Sequence, residues 1–242
     1  MPLHRLFGAC REKIKTYASG GLWLSQPIDS LLKDAQNFLD QGFRSMKIRV
    51  GKTNWKNDVE RVKEVRNAVG PDIELMADIN QALEPKQAIQ LGKQLEEYDL
   101  LWLEEPVASN NREGHAEVRS ALATPIASGE NEYSLSGMRE MIEAKACDIL
   151  MPDLQRIGGI SEMRKVANLA ESHNLPISTH IFTEHSLSVA GSVTNCLSVE
   201  HMPWFSKLFN EQIDVINGYI DIPERPGTGF TFNDSYIKKF II

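Results

Sequence analysis

Short apolar or β-branched runs alternate with helical patterns along the chain, and each run ends in a polar residue. The runs are TYASGGLWL (16–24), SMKIRVG (45–51), IELMADIN (73–80), LLWLEEP (100–106), PIASGEN (125–131), ACDILMPD (146–153), LPISTHIF (175–182) and CLSVEHMPW (196–204). The stretches between them are amphipathic. PIDSLLKDAQNFLDQG (27–42) is representative, with Pro27 before its first turn, apolar residues at helical spacing and Gly42 just past its end. Eight strands alternating with helices predict an α/β fold in which a parallel sheet closes into a barrel.

Lys47, Asp78, Glu104, Glu130, Asp153, His180 and Glu200 stand at or beside the C-terminal end of successive runs. They are separated by 31, 26, 26, 23, 27 and 20 residues, each about one strand, one helix and their loops. Parallel strands bring these ends to one rim, where barrel enzymes keep their active sites. A lone carboxylate at such a place is most simply a solvated strand end, but seven polar residues in register are not. Glu104 and Glu105 raise a sharper question, because a buried strand, Leu100 to Leu103, runs straight into them. A carboxylate there costs several kcal/mol of desolvation unless something positive meets it. Asp78, Glu104 and Glu130 on adjacent strands would repel one another without a cation between them. All-oxygen, anionic ligation suits a hard cation, and three protein ligands leave room for water or substrate, which favours Mg²⁺ over Ca²⁺. Glu104 and Glu105 alternate faces on a strand, so one is expected to point into the barrel and the other to lie outside it or at its rim.

Composition narrows the classes. The 242 residues, 42% hydrophobic, are enough for one large core, and a net charge of −7 with mixed signs argues against nucleic acid as a partner. No apolar run approaches the length of a membrane span, and no apolar signal core opens the chain. Cys10, Cys147 and Cys196 are odd in number and unrelated in spacing, which fits a reducing cytoplasm rather than a disulfide framework or zinc cluster. Gly158 and Gly159 in RIGGI follow the sixth strand and read as a helix entry, since barrel phosphate sites use the seventh and eighth. His173, His185 and His201 form no zinc pattern.

The motifs KIRVG, ADIN, WLEEP, SGEN, MPDLQRIGG, STHIF and VEHMPW, in this order and spacing, resemble the barrel domain of the mandelate racemase subgroup of the enolase superfamily. The resemblance implies a modified TIM barrel, (β/α)7β, with a short C-terminal extension. It implies that Asp78, Glu104 and Glu130 bind Mg²⁺, with Mn²⁺ as the alternative, and that His180 paired with Asp153 is a general base. Lys47 then lies across the site, Glu200 hydrogen-bonds the substrate carboxylate and Asn80 is a further substrate contact. Arg49 stands where many members carry a second lysine; it remains charged, so it stabilises but is a poor base.

The chemistry follows from those residue types. Removing a proton α to a carboxylate creates a second negative charge, which a metal and Lys47 would stabilise. His180 titrates near working pH, and Asp153 would fix its tautomer. The expected reaction is dehydration of a sugar acid to a 2-keto-3-deoxy acid. The alternatives are a racemase or epimerase of an α-hydroxy acid, and a catalytically incompetent barrel fragment. The expected partner is a small carboxylate, with no nucleic acid and no membrane, and the expected assembly is a homo-oligomer. Residues 1–208 read as the barrel with an N-terminal bridging segment. Residues 209–242 read as a segment that would pack toward an N-terminal capping domain of about a hundred residues, which these relatives carry and this sequence lacks.

Overall fold

The computed structural model describes residues 1–51 and 55–240, so the last two residues of the C-terminal segment lie outside the described residues. Eight parallel strands form the barrel: β1 Lys13–Ala18, β2 Ser45–Arg49, β3 Glu74–Asp78, β4 Leu100–Glu104, β5 Ile126–Ser128, β6 Ile149–Leu150, β7 Ile177–Thr179 and β8 Cys196–His201. Each pairs with the next, and β1 pairs with both β8 and β2, which closes the sheet. After a short α1 (Leu3–Leu6), the connecting helices are α2 Ile28–Asp40, α3 Lys56–Val69, α4 Pro85–Leu95, α5 Arg112–Ala121, α6 Ser134–Glu143, α7 Ile160–Ser172 and α8 Thr183–Ala190. The α/β barrel expected from the alternating pattern is the observed fold.

Strand alternation sorts the side chains into two apolar layers. Outward residues such as Met46, Ile48, Leu75, Ala77 and Leu103 pack with Leu31, Val62 and Leu91 of the helices. Inside, Tyr17, Met76, Trp102, Ala127, Ile149 and Met151 fill the barrel. Tyr17 meets Trp102 edge to face at 5.3 Å, so the interior is a packed floor beneath the rim rather than a pore.

Two strands differ from the sequence reading. The first spans Lys13–Ala18, not the run from Thr16, because the chain leaves the sheet after Ala18 and Leu22 adopts a left-handed conformation (φ 54°). The run reads on through Leu22, Trp23 and Leu24 only because the loop itself is apolar. The sixth strand shrinks to Ile149–Leu150; Asp153 lies beyond it and is joined to His180 by an isolated parallel bridge.

The closing seam is narrow. β1 pairs with β8 over Lys15–Ala18 but with β2 only at Ala18 opposite Met46. A ninth strand, β9 (Tyr219–Asp221), pairs antiparallel with Lys13–Lys15, taking the lower part of the edge that would otherwise face β2. Ile220 and Ile222 join the core beside Ile14 and Val199. The C-terminal segment is therefore a wedge in the barrel wall. Gly42 anchors it: its carbonyl accepts from Gly218 N–H at 2.7 Å, and its φ of 91° follows the end of α2. A Cβ on Gly42 would stand 2.7 Å from the Val215 carbonyl oxygen, which backbone cannot yield cheaply. Gly42→Ala should therefore cost about 2 kcal/mol or more, combining left-handed strain with the clash. Urea unfolding checks this; an unchanged midpoint would contradict the anchoring role.

Candidate active site

Lys47 reaches inward from β2 and is 1% exposed, a position an ammonium occupies only with anions around it. Its Nζ contacts the Glu104 carboxylate closely, lies 3.1 Å from Glu200 Oε1 and 3.5 Å from Asp78 Oδ2, and stands 5.5 Å above the Tyr17 ring. Burial pulls its pKa down, but Glu104 and then Glu200, Tyr17 and Asp78 reverse this and hold it well above the ordinary lysine value. The positive group that meets Glu104 is thus a side chain of the protein itself.

The carboxylates around Lys47 differ in environment. Burial pushes Glu104 up to about 8; Lys47 opposes the rise, and Asp78, Glu200 and Glu130 add to it. Glu104 Oε2 also accepts from Trp102 Nε1 at 2.9 Å, two residues back on the same face. Glu200 is buried too, but Lys47, His180, a hydrogen bond from Ser19 and the Ile181 N–H outweigh burial and bring it to about 2. The Ile181 contact, 2.8 Å to Glu200 Oε2, depends on left-handed backbone at that β-branched residue (φ 33°), a strained conformation. Asp78 accepts from the Asn80 backbone at 2.8 Å and its side chain at 3.1 Å, while Asn80 itself is exposed at the rim.

A second group gathers on the other side of the rim. His180 Nδ1 lies 2.7 Å from Asp153 Oδ2, and Nε2 lies 3.3 Å from Glu130 Oε2. Asp153 Oδ1 is fixed by the backbone N–H groups of Gln155 and Arg156, both at 2.9 Å. Burial disfavours the imidazolium, but the Asp153 hydrogen bond and the charges of Glu130 and Glu200 raise the His180 pKa. Asp153 shifts the other way: burial is outweighed by the His180 hydrogen bond and the Arg156 N–H. With Asp153 accepting from Nδ1–H, Nε2 is the nitrogen left to exchange a proton.

The structure brings every expected residue to the C-terminal rim, in two sets: Lys47 with Asp78, Glu104 and Glu200, and His180 with Asp153 and Glu130. Arg49, expected as a stabilising charge rather than a base, is held by the loop after β1. Its guanidinium, 8% exposed, donates to the Ser19 carbonyl and hydroxyl, stacks on Trp23 and lies 3.6 Å from Asp78. Glu105 is buried at the rim: Ser128 Oγ and Gly129 N donate to it at 2.5 and 3.0 Å. Ser19, Trp23 and Trp102 escaped the sequence reading. Only Trp102, two residues before Glu104 and so on its face, left a readable signal.

Among the described residues, no three His, Cys, Asp or Glu side chains are gathered as a ready metal centre. Glu104 is turned to Lys47 and Trp102, and Glu130 to His180. The donor chemistry nevertheless fits a hard cation. Among the described residues, Asp78, Glu104, Glu105, Glu130, Asp153 and Glu200 share the rim, and the arginine and lysine side chains paired with them are Lys47, Arg49 and Arg156. The ionised form of Glu104 is held at a cost that a cation among these carboxylates would relieve.

A closed parallel barrel whose C-terminal rim carries a buried lysine, carboxylates from successive strands and a His–Asp pair has its charged groups gathered where barrel enzymes keep their active sites. Residues 30–236 match the family described as enolase C-terminal domain-like, and the chain belongs to that family. It is 36% identical over 234 residues to the L-talarate/galactarate dehydratase of Salmonella typhimurium, covering 97% of this chain and 59% of that protein. An L-talarate dehydratase structure from Polaromonas, complexed with Mg and L-glucarate, superposes with a TM-score of 0.94 at 34% identity, over 97% of this chain and 66% of that one. A Bradyrhizobium protein complexed with magnesium and mandelic acid gives 0.91 at 34% identity, over 98% and 64%. Other relatives include sugar acid dehydratases, cycloisomerases and an epimerase. Among the described residues no helix is long and apolar enough to cross a membrane.

Lys47→Met isolates the central ion group. Removing the one ammonium shared by three buried carboxylates should destabilise the fold by about 3–5 kcal/mol, the cost of breaking a buried pair from one side. Chemical denaturation at neutral pH measures it, and a loss within experimental scatter would show that these charges do not depend on Lys47.

Proposed function

We propose that this barrel carries out Mg²⁺-dependent abstraction of the proton α to a carboxylate, and that the net reaction is dehydration of a sugar acid to a 2-keto-3-deoxy acid. The observation that carries the reading is the His180–Asp153 pair, 2.7 Å apart, on the same rim as Lys47 and Glu200. Asp78, Glu104 and Glu130 would hold the metal, which supplies Lewis-acid stabilisation of the charge that builds on the substrate carboxylate. Mn²⁺ has the same ligand preference and is the alternative occupant.

The residues of the chain do the rest. His180 Nε2 takes the α-proton, and Asp153 stabilises the imidazolium that results. Lys47 adds a fixed positive charge beside the substrate carboxylate, and Glu200 and Asn80 orient the substrate by hydrogen bonding. The electron pair left at the α-carbon forms a double bond to the β-carbon as the β-hydroxyl departs. That hydroxyl takes the proton from His180 and leaves as water, and the enol becomes the 2-keto-3-deoxy acid. One histidine thus serves as base and then as acid, whereas direct racemisation needs a competent base on each face. Arg49, clamped by Ser19 and Trp23 and always protonated, is not one. Racemisation or epimerisation of an α-hydroxy acid is the second reading, favoured by the mandelic acid in the Bradyrhizobium relative.

Two measurements test the proposal. Glu130→Gln keeps the shape of a ligand but removes its charge, so calorimetry should show Mg²⁺ affinity falling by about tenfold or more. Affinity equal to that of the parent would remove Glu130 from the metal site. A sugar-acid library, screened for 2-keto product with Mg²⁺, should yield at least one substrate. The screen uses the chain itself and a version carrying the cap that the resemblance implies, and His180→Asn should abolish turnover. Rapid inversion at the α-carbon of α-hydroxy acids, with no keto product from any sugar acid, would move the assignment to racemisation.

A further inference from the structure

The loop after β1, Ser19 to Gln26, is held more firmly than a surface connection requires. Gln26 Oε1 accepts from Trp23 N–H, and Asp34 Oδ2 accepts from both Leu22 N–H (3.2 Å) and Gln26 Nε2 (2.9 Å). The buried Arg61 donates to the carbonyls of Trp23 (3.0 Å) and Gln26. Arg49 N–H donates to the Leu22 carbonyl at 3.0 Å. These bonds sustain Leu22 at a φ of 54°, which a residue with a Cβ adopts only when its surroundings impose it. They fix the direction of the next side chain, Trp23.

The Trp23 indole lies 4.8 Å from the Arg49 guanidinium carbon and stacks on Trp204, with centroids 6.4 Å apart and planes 9° from parallel. Behind that face the guanidinium edge donates to Ser19 Oγ at 2.9 Å and to the Ser19 carbonyl at 3.2 Å. Ser19 N–H donates to the His201 carbonyl at 3.1 Å, which sets Ser19 beside Glu200, and its side chain is one of the groups that hold the Glu200 pKa down. Because the arginine can only donate, the serine hydroxyl accepts from Arg49 and turns its own proton to the carboxylate. Trp204 follows Glu200 by four residues in the chain, so the stack through Trp23 and Arg49 and the placement of Ser19 both lead back to the segment that carries Glu200.

We propose that Trp23 is a positioning residue for Glu200, acting through Arg49 and Ser19. A guanidinium covered by an indole loses a face to solvent and is confined to the plane in which its edge meets Ser19. Confinement keeps the serine proton on Glu200, and so leaves the carboxylate in one orientation toward a substrate. The role of Glu200 as a substrate contact rests on the function proposed above; the stacking and its effect on Arg49 do not.

The test joins a spectroscopic signature with a kinetic split. In NMR spectra of the 242-residue chain, the Arg49 Nε–H resonance should be shifted by the indole ring current. It should move toward the ordinary arginine position in Trp23→Leu and keep part of its shift in Trp23→Phe. With a sugar acid that the enzyme turns over, Trp23→Leu should raise KM about tenfold with little change in kcat, a cation–π contact's worth of binding. Trp23→Phe should restore most of the loss, and Trp23→Leu in an Arg49→Met background should add nothing further. An Arg49 resonance that does not move, an unchanged KM, or losses that multiply in the double variant would overturn the proposal. If no acid is turned over by the parent, the function reading fails instead, and the Arg49 resonance alone decides for or against the stack.

Discussion

The Lys47 ammonium, buried among Asp78, Glu104 and Glu200, is the interaction on which the rest of this barrel depends. None of these four charges is stable alone in the interior, and together they join β2 to β3, β4 and β8. Each strand can contribute only if its register places the right residue at the rim. A slip of one residue would turn the charge outward and bring an apolar side chain in. Tyr17 and Trp102 supply the floor, one under the ammonium and the other donating to Glu104, so the apolar interior also orients the polar site.

The mouth above that floor is kept in shape by backbone and loop rather than by regular sheet. Left-handed residues other than glycine follow the ends of β1, β3, β4 and β7: Leu22, Asn80 with Gln81, Glu105, and Ile181 with Phe182. Such strain persists where surrounding contacts over-determine it, and here the contacts are those of the site. Ile181 offers its N–H to Glu200, Asn80 caps Asp78, and Glu105 draws in Ser128 and Gly129 just ahead of Glu130. The seam between β1 and β2, thin in ladder hydrogen bonds, is reinforced at the rim by Arg49 and Ser19 and lower down by β9. Stability of the closure and placement of the charges are one problem with one solution.

Much of this was legible in the sequence because parallel strands translate spacing into position. Polar residues at intervals of one strand and helix had to meet at one rim, and Lys47, Asp78, Glu104, Glu130, Asp153, His180 and Glu200 do. What stayed hidden depends on backbone torsion and on partners distant in sequence. The first strand reads too late because Leu22 and Trp23 look like strand residues, while one torsion at Leu22 turns the chain out of the sheet. One of Glu104 and Glu105 was expected outside or at the rim, and Glu105 lies at the rim; its burial against β5 comes with a left-handed φ of 42°, which alternation alone does not foresee. Arg49 was legible as a charge but not as a clamped one, since Ser19 and Trp23 lie some thirty residues before it. The pairing of Glu104 with Lys47 was the hardest to read: carboxylates at strand ends announce a need for positive charge, not its source.

The central claim is that His180, in a site with a metal and Lys47, takes the proton α to a carboxylate. The most direct measurement is exchange of that proton with deuterated solvent, followed by NMR for sugar acids and α-hydroxy acids, with and without Mg²⁺. The account predicts Mg²⁺-dependent incorporation of deuterium at the α-carbon that disappears in His180→Asn. Exchange that persists in His180→Asn, or the lack of any exchange with metal bound across the whole set of acids, would contradict it.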